Sequence, residues 1–158
     1  MSEGIEDRPK DLGYELPPVP SPAGSYVPAI RAGDFLFTAG QLPFKDGELP
    51  YTGKVGTDVS VEDAKETARL CVLNALAAVK AEIGTLEKVR RVVKVTGYLA
   101  SDAGFNGQPG VMNGASDLLG EIFGEKGIHA RTAVGVAELP LDAPVEIELM
   151  IELSEEQG

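Results

Sequence analysis

The chain is predicted to adopt an α+β fold, a two-layer domain in which one mixed β-sheet carries two helices on one face. Three observations predict it. The cleanest strand pattern lies near the C-terminus, where Val145, Ile147, Leu149, Ile151 and Leu153 alternate with Glu146, Glu148, Met150 and Glu152. Two stretches, Val61 to Ile83 and Val111 to Phe123, repeat apolar residues at helical spacing. Short strand patterns flank both helices, so the order reads β-β-α-β-α-β-β.

Residues 1–24 read as an N-terminal arm and residues 25–158 as a single domain. Ile5 to Leu16 suits a short helix weakened by Pro9 and Gly13, and Leu16 to Pro22 is a polyproline-like connector. Tyr26 to Ile30 and Phe35 to Ala39 are strands joined through Arg31-Ala32-Gly33-Asp34, a hairpin signal. Gly40 follows, in Thr38-Ala39-Gly40-Gln41-Leu42-Pro43, as a bulge or a place for close backbone approach by a ligand. Ser60 and Asp63 cap the long helix, in which Ala64, Ala68, Cys71, Val72, Ala75, Leu76 and Val79 face inward until Gly84 ends it. Arg91 to Leu99 is a strand, and a glycine-rich loop from Gly104 to Gly110 leads to the second helix. Thr132 to Ala137 and Val145 to Leu153 close the chain as two strands separated by Leu139-Pro140-Leu141-Asp142-Ala143-Pro144. Apolar residues on both faces of the sheet, with helices enough for only one, point to a second subunit as the other cover.

Composition narrows the function. The chain has 158 residues, 43% hydrophobic and 25% charged, as expected for a globular domain. Its acidic N-terminus lacks an apolar run and no stretch approaches a membrane-spanning length, so a cytoplasmic location and no membrane partner are expected. One cysteine, Cys71, and one histidine, His129, leave no set of zinc ligands, and no metal is expected. Cys71 reads as a buried thiol and His129 as a loop residue. With 25 acidic against 14 basic residues the net charge is −11, which opposes nucleic-acid binding. Lys88, Arg90, Arg91 and Lys94 read as a solvated strand face. No GxxxxGK or GxGxxG occurs, and no cofactor is expected.

Arg131 opens one C-terminal strand and Glu146 the next. If the two strands are neighbours, guanidinium and carboxylate converge on one small acidic ligand. The plain alternative makes Glu146, Glu148 and Glu152 a solvated face, with Arg131 paired to one of them.

Several elements together resemble a known family. Gly24-Ser25-Tyr26, Thr38-Ala39-Gly40-Gln41-Leu42-Pro43, Asn113, Ala130-Arg131-Thr132-Ala133-Val134 and Val145-Glu146-Ile147-Glu148 stand in the order and spacing of the Rid, or YjgF-like, reactive intermediate deaminases. The likeness runs from Ser25 to Leu153, and its terminal block is the most specific part. It implies a chorismate-mutase-like fold, a homotrimer and ligand clefts between subunits. It also implies hydrolysis of 2-imino and 2-enamine acids to 2-oxo acids and ammonia, without cofactor. In that role Arg131 would grip the substrate carboxylate as a bidentate fork, and Glu146 would handle the attacking water and its protons. Backbone groups at Gly40 and Ala133 would fix substrate and water, while Tyr26 and Asn113 would line the cleft. Many deaminases of the family carry a cysteine after the arginine motif, where this chain has Ala133; a backbone role survives that change. Two other functions use the same residues or the same family: a non-catalytic trimer binding a small carboxylate metabolite, and a ribonuclease or translation inhibitor, which the charge disfavours.

Overall fold

Alternation along the last strand sets the two layers. In the computed structural model, which describes residues 4–19, 21–22 and 24–155, Val145, Ile147, Leu149, Ile151 and Leu153 are all buried against helices. The intervening Glu146, Glu148, Met150 and Glu152 face the other way and are half-buried. The strands are β1 (Ala29–Ala32), β2 (Phe35–Thr38), β3 (Val89–Ala100), β4 (Ala130–Val136) and β5 (Val145–Leu153). They form one sheet in the order β1-β2-β5-β3-β4, antiparallel except for the parallel β3–β4 pair.

The helices are α1 (Arg8–Asp11), α2 (Val61–Ile83) and α3 (Gln108–Phe123). Ser60 caps α2 by accepting the Asp63 amide at 3.1 Å, and Gly84, at φ 91°, takes the left-handed turn that ends it. α2 and α3 pack on each other and on the same face of the sheet, α2 against β1, β2 and β5, α3 against β3 and β4. The predicted α+β architecture is therefore the observed one. Each large aliphatic side chain closed into this core contributes about 1.5–3 kcal/mol through burial.

Three local readings change. The first strand begins at Ala29 instead of Tyr26, leaving Tyr26 in the preceding loop. The early helix shrinks to a 3-10 turn (Ile5–Asp7) running into α1, because Gly13 at φ 89° turns the chain away. In β3, irregularities on either side of Val92 break the alternation: Val95 is buried under the helices, and Arg90 and Arg91 both reach Glu152, at 3.8 and 3.7 Å.

The N-terminal segment lies against this frame. Glu6 accepts the Leu86 amide at 2.6 Å and the Thr85 hydroxyl at 3.0 Å, and pairs with Lys80. Tyr14 and Leu16 pack on the core. Met1, Ser2, Glu3, Pro20 and Ala23, which belong to the predicted arm and connector, fall outside the described residues.

Among the described residues, no helix covers the other face of the sheet. Ile30, Phe37, Met150, Lys94 and Ala130 form one row across all five strands, and Phe35 lies opposite Glu152 in the next. Ile30, Phe35, Phe37 and Val134 are exposed there.

Candidate functional site

Arg131 is the second residue of β4 and pairs with Val95, so its side chain leaves on the helix side of the sheet. The guanidinium meets α3 there. Nη1 donates to Asn113 Oδ1 at 2.9 Å and Ser116 Oγ at 3.2 Å, and Nη2 donates to the Pro109 carbonyl at 3.4 Å. Asn113 and Ser116 lie three residues apart on α3, which puts both on one helix face toward β4. All three partners are neutral oxygens. Among the described residues no carboxylate pairs with Arg131, so its expected alternative partners Glu146, Glu148 and Glu152 are excluded. Beside the guanidinium lies an open cavity of about 330 Å³, lined by Asn113, Ser116, Gly127, His129 and Arg131 among others.

Glu146 stands apart from this cluster. It is the second residue of β5 and pairs with Tyr98, on the helix-free face. Burial, and then the Glu148 carboxylate beside it, raise its pKa above the usual carboxylate range. Tyr98 donates its hydroxyl to Glu148 Oε1 at 2.8 Å, and that bond, ahead of burial and the two carboxylates, raises the phenol's pKa.

The Thr38-to-Pro43 segment is stitched to β5 at this point. Gln41 exchanges backbone hydrogen bonds with Ile147, at 2.8 and 3.1 Å, and Thr38 Oγ1 accepts the Leu149 amide at 2.9 Å. Gly40 is thereby laid on Glu146. A Cβ there would stand 2.9 Å from Glu146 Cδ and 3.1 Å from Cγ. The glycine makes room for the carboxylate, a reason beyond the bulge or ligand approach read from the sequence.

Asn113 and Arg131 therefore form one cluster, and Gly40 and Glu146 another. Ala133 follows Arg131 on the same side of β4 and packs partly on the core. Tyr26 is 52% exposed, two residues before Pro28, whose carbonyl accepts the Ala39 amide next to Gly40. The expected convergence of Arg131 and Glu146 from neighbouring strands does not occur within one chain. β3 lies between β4 and β5, and the two residues register with Val95 and Tyr98, three positions apart on β3 and so on opposite faces.

Four further residues belong to these clusters without having been singled out as site residues in the sequence. Ser116 was recoverable from its three-residue spacing to Asn113. His129 does lie in the loop before β4, as expected, and its two-residue spacing to Arg131 also brings it into the cluster. Tyr98 and Glu148 meet across β3 and β5, which only the strand register reveals. Cys71 is buried as expected. Burial, then the Glu146 charge, push its thiol's pKa well above the usual range.

Comparisons with known proteins agree on the lineage. The family model described as "YjgF/chorismate mutase-like, putative endoribonuclease" matches residues 6–153. The Agrobacterium tumefaciens protein Atu1372, a crystal structure of unknown function, is 47% identical, covers 94% of this chain and 91% of its own, and superposes with a TM-score of 0.88. A 2-iminobutanoate/2-iminopropanoate deaminase from Dermatophagoides farinae is 31% identical over 135 residues, 85% of this chain and 91% of that protein. Escherichia coli TdcF, solved with bound serine, is 27% identical with a TM-score of 0.65, covering 86% of this chain and 94% of its own.

Proposed function

We propose that this chain, which belongs to the YjgF/chorismate mutase-like (Rid) family, hydrolyses reactive 2-imino and 2-enamine acids to 2-oxo acids and ammonia. The observation that carries the reading is the Arg131 guanidinium, oriented by neutral oxygens only and bordering an open cavity. A fork of donors fixed in this way and lacking a counter-charge suits a small carboxylate. The serine-bound relative and the imine deaminase relative support the same ligand class.

Glu146 supplies the acid–base chemistry in this reading. With its pKa raised it stands nearer the working pH than an ordinary glutamate, as proton transfer in both directions requires. It takes a proton from water as the oxygen attacks C2 of the imine, giving a carbinolamine. It then returns that proton to nitrogen, and as the C2–N bond breaks it takes the proton of the carbinolamine hydroxyl, whose oxygen becomes the C2 carbonyl of the departing 2-oxo acid while ammonia leaves. An enamine first accepts a separate proton at C3, from protonated Glu146, to become the protonated imine that water then attacks. Gly40 and Ala133 contribute backbone groups, and Tyr26 and Asn113 line the cleft.

Because the Arg131 and Glu146 clusters lie on opposite faces of one sheet, the working cleft is completed by a second copy, in a homotrimer. The exposed apolar side chains of the helix-free face, Ile30, Phe35, Phe37 and Val134, support such an assembly. The protein would act in the cytoplasm; no helix among the described residues is long and apolar enough to cross a membrane.

The test is direct assay of freshly generated 2-aminoacrylate. The parent should outpace spontaneous hydrolysis, and Glu146→Gln should lose roughly 10²–10⁴-fold while still binding 2-oxobutyrate. A parent that binds the oxo acid yet never exceeds the spontaneous rate would make the protein a carboxylate-binding trimer instead.

A further inference from the structure

His129 is the only histidine of the chain and is half-buried against the Arg131 cluster. Its Nδ1 lies 2.6 Å from the Gly127 carbonyl, and its Nε2 lies 2.9 Å from Ser116 Oγ. A carbonyl oxygen only accepts, so Nδ1 must carry a hydrogen. In the neutral ring Nε2 is then an acceptor, and the Ser116 hydroxyl must be its donor. Ser116 Oγ has a lone pair left for Arg131 Nη1, 3.2 Å away. The directions run in one chain: Arg131 donates to Ser116, Ser116 to His129, and His129 to Gly127.

We propose that His129 is a positioning residue, which through Ser116 holds the Arg131 guanidinium in the orientation that grips a carboxylate. This deepens the reading of Arg131 as the carboxylate grip and rests on it. A serine within a helix has a competing acceptor in the carbonyl four residues back, here Met112. Without an acceptor at Nε2 the hydroxyl turns to that carbonyl, and its lone pair leaves the guanidinium. Arg131 then keeps Asn113 and Pro109 but loses the contact that fixes its Nη1 edge. Ligand binding must restore that order, which weakens it.

Two substitutions separate this role from a structural one. Gln places an acceptor where Nε2 stands and abandons Gly127, while Asn keeps a donor for Gly127 and abandons Ser116. In the full-length protein, His129→Asn should weaken 2-oxobutyrate binding about tenfold. His129→Gln should stay within about threefold of the parent. Ser116→Ala should match His129→Asn, and combining the two should add nothing. Equal losses in Gln and Asn, or a larger loss in Gln, would overturn the proposal and leave His129 as a clamp on the turn at Gly127.

A ligand-free readout keeps this test distinct from that of the proposed function. Nitrogen-15 spectra of the single histidine should show the Nδ1–H tautomer, and the Nε2–H tautomer would overturn the proposal. Rotation about the Arg131 guanidinium bonds should be equally slow in the parent and the Gln variant and faster in the Asn variant, where Asn113 and Pro109 alone hold it. If the parent binds no 2-oxobutyrate, the carboxylate grip fails, and these rotation rates alone decide the positioning role. A rotation rate in the Asn variant equal to the parent's would end it.

Discussion

At Gly40 a single missing methyl group decides where a carboxylate sits, because a Cβ would stand 2.9 Å from Glu146 Cδ. Gly40→Ala should therefore displace Glu146 and reduce hydrolysis much as Glu146→Gln does, at nearly unchanged melting temperature. Glu146 also carries a pH signature. Burial, then Glu148, raise its folded pKa above the unfolded one, so its favourable contribution exists at low pH and is lost as pH rises through the folded value. Glu146→Gln, which cannot ionise, should melt above the parent at neutral pH and show no gain below the ordinary carboxylate range. The gain is small because the side chain is only half-buried. The opposite order, with the variant less stable at neutral pH, would mean that the ionised carboxylate is stabilised. At Arg131 the shape of the cation decides. Arg131→Lys replaces a fork by a point charge and should cost carboxylate affinity on the order of 1.5–3 kcal/mol, with the fold intact, measured by titration with 2-oxobutyrate. Unchanged affinity with a lowered melting temperature would make Arg131 structural.

At the scale of elements, α3 is the platform of the Arg131 cluster, and its seat on α2 is set by Gly114. A Cβ there would stand 2.5 Å from the Lys65 carbonyl oxygen, a backbone atom that cannot step aside. Gly114→Ala should cost about 1–3 kcal/mol of stability by overpacking. Because Asn113 and Ser116 ride on the same helix, it should weaken carboxylate binding as well. A variant with parental melting and binding would show that the helices slide freely. Most of these elements were legible in the sequence: the five strands, both long helices and the cap at Ser60 follow from period, capping chemistry and turn residues. The pairing of Asn113 with Arg131 and of Gly40 with Glu146 was not, since it depends on which strands become neighbours. The sequence order placed β4 beside β5, whereas the parallel β3–β4 pairing moved β4 to the edge and carried Arg131 away from Glu146. The irregularities in β3 were equally hidden, because alternation in Arg91 to Leu99 reads through them.

For the whole molecule, a sheet dressed on one face and bare on the other is an unfinished core. The bare face mixes Ile30, Phe35, Phe37 and Val134 with Lys94, Arg91 and three glutamates, a mixture of apolar and charged side chains that suits the proposed subunit interface. Sedimentation equilibrium at micromolar concentration should return three times the 16.6 kDa chain mass, and a monomer would sink both the assembly and the shared cleft. The central claim, that each working site takes Arg131 from one chain and Glu146 from another, is tested most directly by mixing. Arg131→Lys and Glu146→Gln chains, each nearly inactive alone, are unfolded and refolded together in equal amounts. Random assembly gives roughly a quarter of the sites an intact Arg131 facing an intact Glu146, so imine hydrolysis should recover to about a quarter of the parental rate. A refolded mixture no more active than its two components would contradict the shared site.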